Sequence, residues 1–563
     1  MQKINWKRVF FLFIWLLITG LLLYSRFLNL GWGLPYPMHP DERNMANAVQ
    51  ALNWREGFNP HFFAYGQFPL YLGYIGVIIM KFFDGDLGTP ISFQEAVLSL
   101  RIVSALSSII TTFVLLGILG RFGIFGKKNI IHYSLFIILI IFSPVLIQFA
   151  HFGTTESLLI LFYSLIIYFS MLFLQKKLLT THYSLLTSLF CGLALATKVS
   201  SVIFLILPMF VLITYASRSY NKIFLFSKFV LLTIGLFLLF SPHSLLSWNE
   251  FMSSMRYESA VASGQVKVFY TRQFENTAPI LFHIKKIFPY ALGWPVFLLG
   301  VLGFLGISWK KKEYHLLRFA FIVVFLPNAF MFAKWTRFMA PAFPVIIIFA
   351  ILFLRNIVIP HLMRNLNYIV PCFRRDVVWI PAGVYPVLRY GAGITLIIGM
   401  TLVMILPGIA YLSVYRNPDV RFQASEWMYK NIPIQSTILS ETENVVDIPI
   451  NNSEYNLISF NFYDLDQNGR LQQDLQYYLT KADYIIVPSR RLFKNHPKES
   501  YPLLNMYYQK LFSGELGFKE IARFESFPKI CLLQVTCYMF NDEDAEETWT
   551  VFDHPVIRIF KRS

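Results

Sequence analysis

Two adjacent carboxylates, Asp41 and Glu42, stand in the run YPMHPDERNM (Tyr36–Met45), just beyond the first strongly apolar stretch of the chain. A third, Glu156, stands in HFGTTES and is the lone acid between Glu95 and Glu250. Acids at a membrane boundary are costly, so the few that are kept usually act. A carboxylate can take the proton of an acceptor hydroxyl. Lys and Arg can neutralise a departing phosphate. Cations available for that are Lys198, Arg256, Lys267, Arg272, Lys334 and Arg337, with Tyr270 beside them. Carboxylates and cations gathered at one face of a helical bundle suit transfer of a group from a lipid phosphate.

The elements that must position them are membrane helices. Of the 563 residues, 56% are hydrophobic and 14% charged, against about 25% charged in ordinary soluble domains. The basic excess is uneven: residues 1–411 carry 33 Lys/Arg against 12 Asp/Glu, whereas residues 412–563 carry 16 against 20. Basic charge confined to the oily part fits short loops that orient membrane helices, and no DNA-binding motif accompanies it, so no nucleic-acid partner is expected. After Lys3, Lys7 and Arg8 comes an apolar run, Val9–Tyr24, with no cleavage site following. It reads as an uncleaved first span with a cytoplasmic N-terminus.

Further spans are expected near 97–120, 131–150, 157–174, 183–197, 199–216, 229–247, 289–308, 315–332, 341–358 and 391–411, about 11 in all. Keeping 183–197 and 199–216 separate places Lys127, Lys128, Lys176, Lys177, Lys310–Lys312, Arg364, Arg374 and Arg375 in the cytoplasm, as the positive-inside rule asks. The first loop (about 30–96), the His151–Glu156 turn, the loop at about 248–288 and the Lys334–Met339 turn then lie outside. Within the first loop, Leu70–Phe83 is too short for a span and reads as an interfacial or re-entrant helix. After Tyr411 helical patterns (Val420–Asn431, Arg470–Lys481, Leu503–Phe512) alternate with strand-like runs from Ser436, Asp483 and Val556. The fold expected is a polytopic α-helical membrane protein, residues 1–411, with an extracytoplasmic α/β domain, residues 412–563.

Simpler readings stand beside the functional ones. Asp41 could cap a helix starting near Glu42, and Glu42 could be a favourable charge in its first turn. Glu156 could cap the span it opens. Lys198 and Arg337 could reach for lipid headgroups, and a solvated loop would account for Arg256, Tyr270 and Arg272. His39, Asp41, His151 and Glu156 could be drawn as a metal site, but their spacing is not diagnostic, and no metal or other cofactor is expected. Cys191, Cys372, Cys531 and Cys537 form no metal pattern and are read as structural, with Cys531 and Cys537 too far apart to bridge unless the chain turns between them. The sequon Asn451-Asn452-Ser453 decides nothing.

At these residues the sequence resembles the GT-C glycosyltransferases. The Asp-Glu pair in the first outer loop, FAYGQFPLYLGY about twenty residues later, HFGTTESLL, GLALATK before Lys198 and FAKWTRFMAPAFP form an ordered set over about residues 5–360. They are similar to the protein O-mannosyltransferase and aminoarabinose-transferase group (glycosyltransferase family 39-like). The tail EETWTVFDHPVIRIF also resembles a recurrent ending of bacterial members with an outer domain. The resemblance implies a polyprenyl-phosphate-linked sugar donor, Asp41 as the base that deprotonates the acceptor, and inversion at the anomeric carbon. Glu42 would orient acceptor or base. Glu156 and His151 would form a second acidic or acceptor site, though relatives often carry Asp where Glu156 stands. Lys198, Arg337, Lys334, Arg256, Tyr270 and Arg272 are the donor-phosphate candidates, because Gln67 occupies the place where relatives carry a phosphate-binding lysine. The sugar, hexosyl or pentosyl, would pass to an extracytoplasmic acceptor (protein, lipid or polysaccharide) at the plasma membrane. Competing readings are a transferase of preassembled glycans, of the oligosaccharyltransferase type, and a lipid-linked sugar transporter. Transporters place charges near the bilayer midplane, whereas these spans are nearly free of acids.

Overall fold

The computed structural model describes residues 6–123, 130–216, 221–360, 385–441, 448–451, 453–532 and 536–563. Lys127, Lys128, Arg364, Cys372, Arg374, Arg375 and Asn452 lie outside the described residues. Helices occupy each of the expected apolar stretches. Among the described residues, five are long and apolar enough to cross a membrane: Phe93–Arg121, Glu156–Leu174, Lys222–Phe240, Thr336–Val358 and Ile398–Arg416. Several of the others are broken where the sequence dictates. The stretch at 131–150 divides into Ile130–Ile141 and Pro144–His151, because Pro144 has no N–H to donate and starts a new helix instead. The stretch at 229–247 lies earlier than expected, at Lys222–Phe240, and ends before Pro242. The stretch at 289–308 is split by Gly293 into Phe288–Leu292 and Trp294–Gly306. Thr180–Thr197 stops at Lys198, whose backbone is extended, and the chain resumes as a 3-10 turn, Val199–Leu205, leading into Ile206–Tyr215.

The first loop carries two α-helices, Pro40–Ala51 and Gln67–Asp84, with a short 3-10 turn, Trp54–Glu56, between them. In the second α-helix, Leu70, Gly73 and Val77 are buried, while Ile75, Ile79, Phe82 and Phe83 are exposed. Met45, Ala46 and Val49 of the first helix meet Leu70 and Val77 of the second and Val97 and Leu100 of Phe93–Arg121, forming a small core of their own. This packing fixes the loop to the bundle rather than leaving it to solvent.

After the last long helix, Tyr385–Arg416, come a five-stranded sheet and a two-stranded one. The strands are β1 (Thr437–Glu441), β2 (Asn456–Phe460), β3 (Tyr484–Val487), β4 (Phe518–Phe524), β5 (Lys529–Leu532), β6 (Thr536–Met539) and β7 (Ile557–Arg562). The main sheet runs β2-β1-β3-β7-β4; β1 is parallel to β2 and β3, and β7 is antiparallel to β3 and β4. Side chains alternate across it. Leu439, Ile485 and Phe560 face Leu475, Leu504 and Leu511, carried by the helices Gly469–Lys481 and Pro502–Ser513. Ile438, Ile486 and Ile559 face Val420, Ala424 and Met428 of Val420–Asn431. β5 and β6 form a separate hairpin in which Cys531 and Cys537 are disulfide-bonded. The antiparallel pairing of the two strands sets the cysteines opposite one another. Cys191 is buried and free.

Candidate functional site

Helix Pro40–Ala51 sets the first carboxylates. His39, not Asp41, is its N-cap: the His39 Nδ1 accepts from the Glu42 amide at 3.4 Å, and Pro40 fills the first turn, where no N–H is needed. Burial pushes the His39 ring below its ordinary pKa against the pull of Asp41 and Glu42, which keeps that nitrogen free to accept.

Successive side chains on a helix point about 100° apart, so Asp41 and Glu42 diverge. Glu42 turns inward. Its Oε1 accepts from Arg101 Nε and from the Gly153 amide, each at 2.7 Å, and its Oε2 accepts from Arg101 Nη2 at 2.6 Å. Arg101 also donates to the Trp32 carbonyl and lies over the Trp32 ring at 4.3 Å. This carboxylate, buried and fully engaged, does not line the cavity described below; it ties the helix to the bundle.

Asp41 faces outward to Arg337, which donates from Nη1 to its carboxylate. Arg337 stands in the 3-10 turn Thr336–Ala342, with its guanidinium 4.8 Å from the Trp335 ring centre. Lys198 completes the cationic side: its Nζ lies 5.1 Å from the Tyr65 ring centre, 5.3 Å from that of Phe338 and 3.8 Å from Glu156 Oε1. Burial pushes the Asp41 carboxyl up, but Arg337, His39 and Lys198, with a hydrogen bond from Tyr65, outweigh it and hold it below its ordinary value. A carboxylate so held is charged at neutral pH and positioned at a cationic pair.

Asp41, Tyr65 and Arg337 border a cavity of about 1100 Å³, while Lys198 stands behind them and does not line it. On the bundle side the walls include Asp41, Tyr65, Tyr257, Glu258, Tyr270, Trp335 and Arg337. The opposite wall comes from the C-terminal sheet domain: Ser440, Ile448, Pro449, Ile486, Arg491, Glu547 and Thr548. Arg491 and Glu547 are ion-paired there, and Asn495 donates to Glu547 at 2.8 Å.

The remaining sequence candidates are spread more widely. Glu156, buried behind Lys198, opens the helix Glu156–Leu174. His151 is buried, with Nδ1 and Nε2 at 2.8 and 2.9 Å from the Ile147 and Leu28 carbonyls, so its ring is committed to backbone. Arg272 joins the two parts of the chain, meeting the Tyr463 carbonyl and Asp464. Lys334 is buried and donates to the Phe332 carbonyl; Arg256 is exposed; neither lines the cavity. Lys267 pairs with Glu275 at 3.2 Å. Gln67 is buried, its Oε1 accepting from Tyr71 and from the His243 amide. Among the described residues no three His, Cys, Asp or Glu side chains form a group able to hold a metal.

Two features lay beyond the sequence reading. Glu258, on the helix Trp248–Ser263, brings a further carboxyl to the cavity, raised chiefly by burial against the pull of Arg337 and Lys198. It lies three places before the buried Val261 on that helix, so the two share a side of it. The other feature is the wall supplied by the C-terminal domain, for which no single motif gave notice.

Comparison with known proteins agrees with this architecture. Residues 86–248 match the family model described as dolichyl-phosphate-mannose-protein mannosyltransferase. The fold matches the crystal structure of ArnT from Cupriavidus metallidurans bound to undecaprenyl phosphate, with a TM-score of 0.51 and 12% identity over 98% of each chain. The chain shares the fold of that ArnT, and residues 86–248 resemble the mannosyltransferase family model. The apo form of the same ArnT gives a TM-score of 0.48 at 11% identity, again over 98% of both chains. The apo oligosaccharyltransferase of Archaeoglobus fulgidus gives 0.48 at 11% identity, covering 89% of this chain and 73% of that one. No curated protein matches in sequence.

Proposed function

We propose that this protein is an integral-membrane glycosyltransferase that moves a sugar from a polyprenyl-phosphate donor to a hydroxyl-bearing acceptor outside the cytoplasm. The observation that carries the reading is the Asp41–Arg337 pair at the edge of the large cavity, with Lys198 behind it. The donor class is supported by the undecaprenyl phosphate bound to the matched ArnT and by the lipid-linked mannose for which the matched family is named.

In this reading the donor phosphate enters beside Arg337 and Lys198. Arg337 then turns from Asp41 to the phosphate, where a fork of N–H donors meets two oxygens. Asp41, losing its strongest cationic neighbour while staying desolvated, becomes a better base. It takes the acceptor O–H proton, the oxygen attacks the anomeric carbon from the far side, and the bond to phosphate breaks. The electron pair leaves on the phosphate oxygen, whose new charge Arg337 and Lys198 balance. The sugar is inverted, and the step needs no redox partner and no nucleotide.

The orientation proposed puts the N-terminus in the cytoplasm of a plasma-membrane protein and the sheet domain outside. The Cys531–Cys537 bridge supports this, since disulfides persist in oxidising compartments.

The test uses purified protein in lipid with radiolabelled polyprenyl-phosphate hexoses and pentoses and cell-envelope acceptors, wild type beside Asp41→Asn. Transfer by wild type that the variant loses, with donor binding retained, supports the reading. Equal transfer by both removes Asp41 from the chemistry.

A further inference from the structure

The tail segment 542–554, which carries EETWTVFDH, is the part of the sequence that the chemistry above leaves unused. Its Glu546 is buried, and its carboxylate accepts five hydrogen bonds. Oε2 receives the Thr336 amide at 3.0 Å, the Thr336 hydroxyl at 2.9 Å and the Thr548 hydroxyl at 2.6 Å. Oε1 receives Gln273 Nε2 at 3.0 Å and the Thr548 amide at 3.1 Å. The Glu546 amide in turn donates to the Lys286 carbonyl at 2.8 Å. Thr336 directly precedes Arg337 and is the first residue of the 3-10 turn that carries it.

We propose that Glu546 is a positioning residue for the transfer reaction: it anchors the start of the Thr336–Ala342 turn and so sets Arg337 in front of Asp41 and the donor phosphate. The inference rests on the reading of Asp41 as base. Docking of the C-terminal domain does not account for these bonds, because docking has separate fasteners. Asp553 accepts from Tyr411 at 2.9 Å and from Tyr415 at 2.8 Å, both on the last membrane helix, and Gln148 donates to the Trp549 carbonyl at 2.8 Å. Glu546 instead grips the turn beside the site. A neutral side chain could not serve equally, since one of its two ends would present N–H groups to donors already pointing at it. In the GT-C site of this chain the C-terminal domain therefore contributes to chemistry through Arg337, besides walling the cavity.

The experiment compares wild type, Glu546→Ala, Thr336→Val, Asp553→Asn and Asp41→Asn in lipid, with radiolabelled polyprenyl-phosphate hexose and cell-envelope acceptor, across pH. Groups facing Asp41 are Arg337, His39, Lys198, Tyr65 and Glu258. Of these, Glu546 acts through Arg337. Loosening Arg337 lets burial raise Asp41, so the acid limb of kcat/KM moves to higher pH in Glu546→Ala, and kcat falls roughly ten- to a hundredfold, as misplacement of a catalytic group does. Thr336→Val keeps the backbone N–H and the fold and moves the limb the same way by less. Asp553→Asn lowers thermal stability and leaves the limb in place, as a docking residue should. An unmoved limb in both Glu546→Ala and Thr336→Val overturns the inference while Asp41→Asn remains inactive. Retained transfer in Asp41→Asn overturns the base reading, and the inference falls with it.

Discussion

Arg337 and Asp41 form an ion pair across 296 residues of chain, joining the turn before one long membrane helix to the first helix of the first loop. The pair is largely buried, so it holds the Asp41 carboxylate charged but occupied until something else claims Arg337. Replacing Arg337 by Gln should therefore do two separable things. Donor KM rises, because a phosphate contact is gone. The acid limb of kcat/KM also moves to higher pH: burial, now less opposed, raises Asp41, while His39 and Lys198 offset only part of it. A KM effect with an unmoved limb would mean that Arg337 serves the phosphate alone.

Glu42 is expected to matter for stability more than for chemistry. Its ion pair with Arg101 is buried on both sides, and removing one partner of such a pair costs about 3–5 kcal/mol. Glu42→Ala should lower the thermal midpoint of the purified protein strongly, with donor KM per folded molecule nearly unchanged. A large rise in acceptor KM without loss of stability would instead return Glu42 to the acceptor.

Much of this was legible in the sequence because membrane helices are written as length and apolarity. Asp41, Arg337 and Lys198 were legible because charge is rare there. What was not legible is direction. Asp41 and Glu42 are neighbours of like charge, and only the packing of Met45, Ala46 and Val49 against the bundle decides which carboxylate turns inward. Arg272 and Lys334 were grouped with Arg337 by side of the membrane, yet one is bound to the Tyr463 carbonyl and the other to the Phe332 carbonyl. The sheet wall was invisible for another reason: it depends on tertiary contacts between segments hundreds of residues apart.

The motif FAYGQF contains a glycine whose role is close approach. A Cβ on Gly66 would collide with the carbonyl oxygen and carbon of Ala196, both backbone, and the Gly66 amide donates to the Thr197 carbonyl at 2.9 Å. Tyr65 and Lys198 flank this contact, the Lys198 ammonium lying over the Tyr65 ring. Gly66→Ala must push the first loop away from the Lys198 turn, separating Tyr65, Lys198 and Asp41. Transfer should fall at least about tenfold, by the sensitivity of rate to sub-ångström placement. Gly88→Ala in the same loop, where nothing lies within 4 Å, should be silent. Equal activities in the two variants would show that the contact does not shape the site.

His554 sits between two carboxylates, with Nδ1 2.6 Å from Asp553 Oδ1 and Nε2 3.0 Å from Asp542 Oδ2. Burial opposes its charge, but Asp542 and Asp553 outweigh it and push the ring up to about 10. A folded-state value above the unfolded one gives stability that is whole below about 6.5 and is lost as pH rises through about 10. Because Asp553 also holds Tyr411 and Tyr415, the stability at stake is that of the joint between the sheet domain and the last membrane helix. The thermal midpoint of wild type should decline between about pH 7 and about pH 10. His554→Gln leaves the two carboxylates without their cation, so it is less stable near neutral pH, by about 3–5 kcal/mol for a broken buried pair, and the gap between the two proteins narrows as pH rises. Midpoints measured by thermal unfolding at closely spaced pH values check this. A gap that stays constant across the range would show that His554 is neutral in the folded protein.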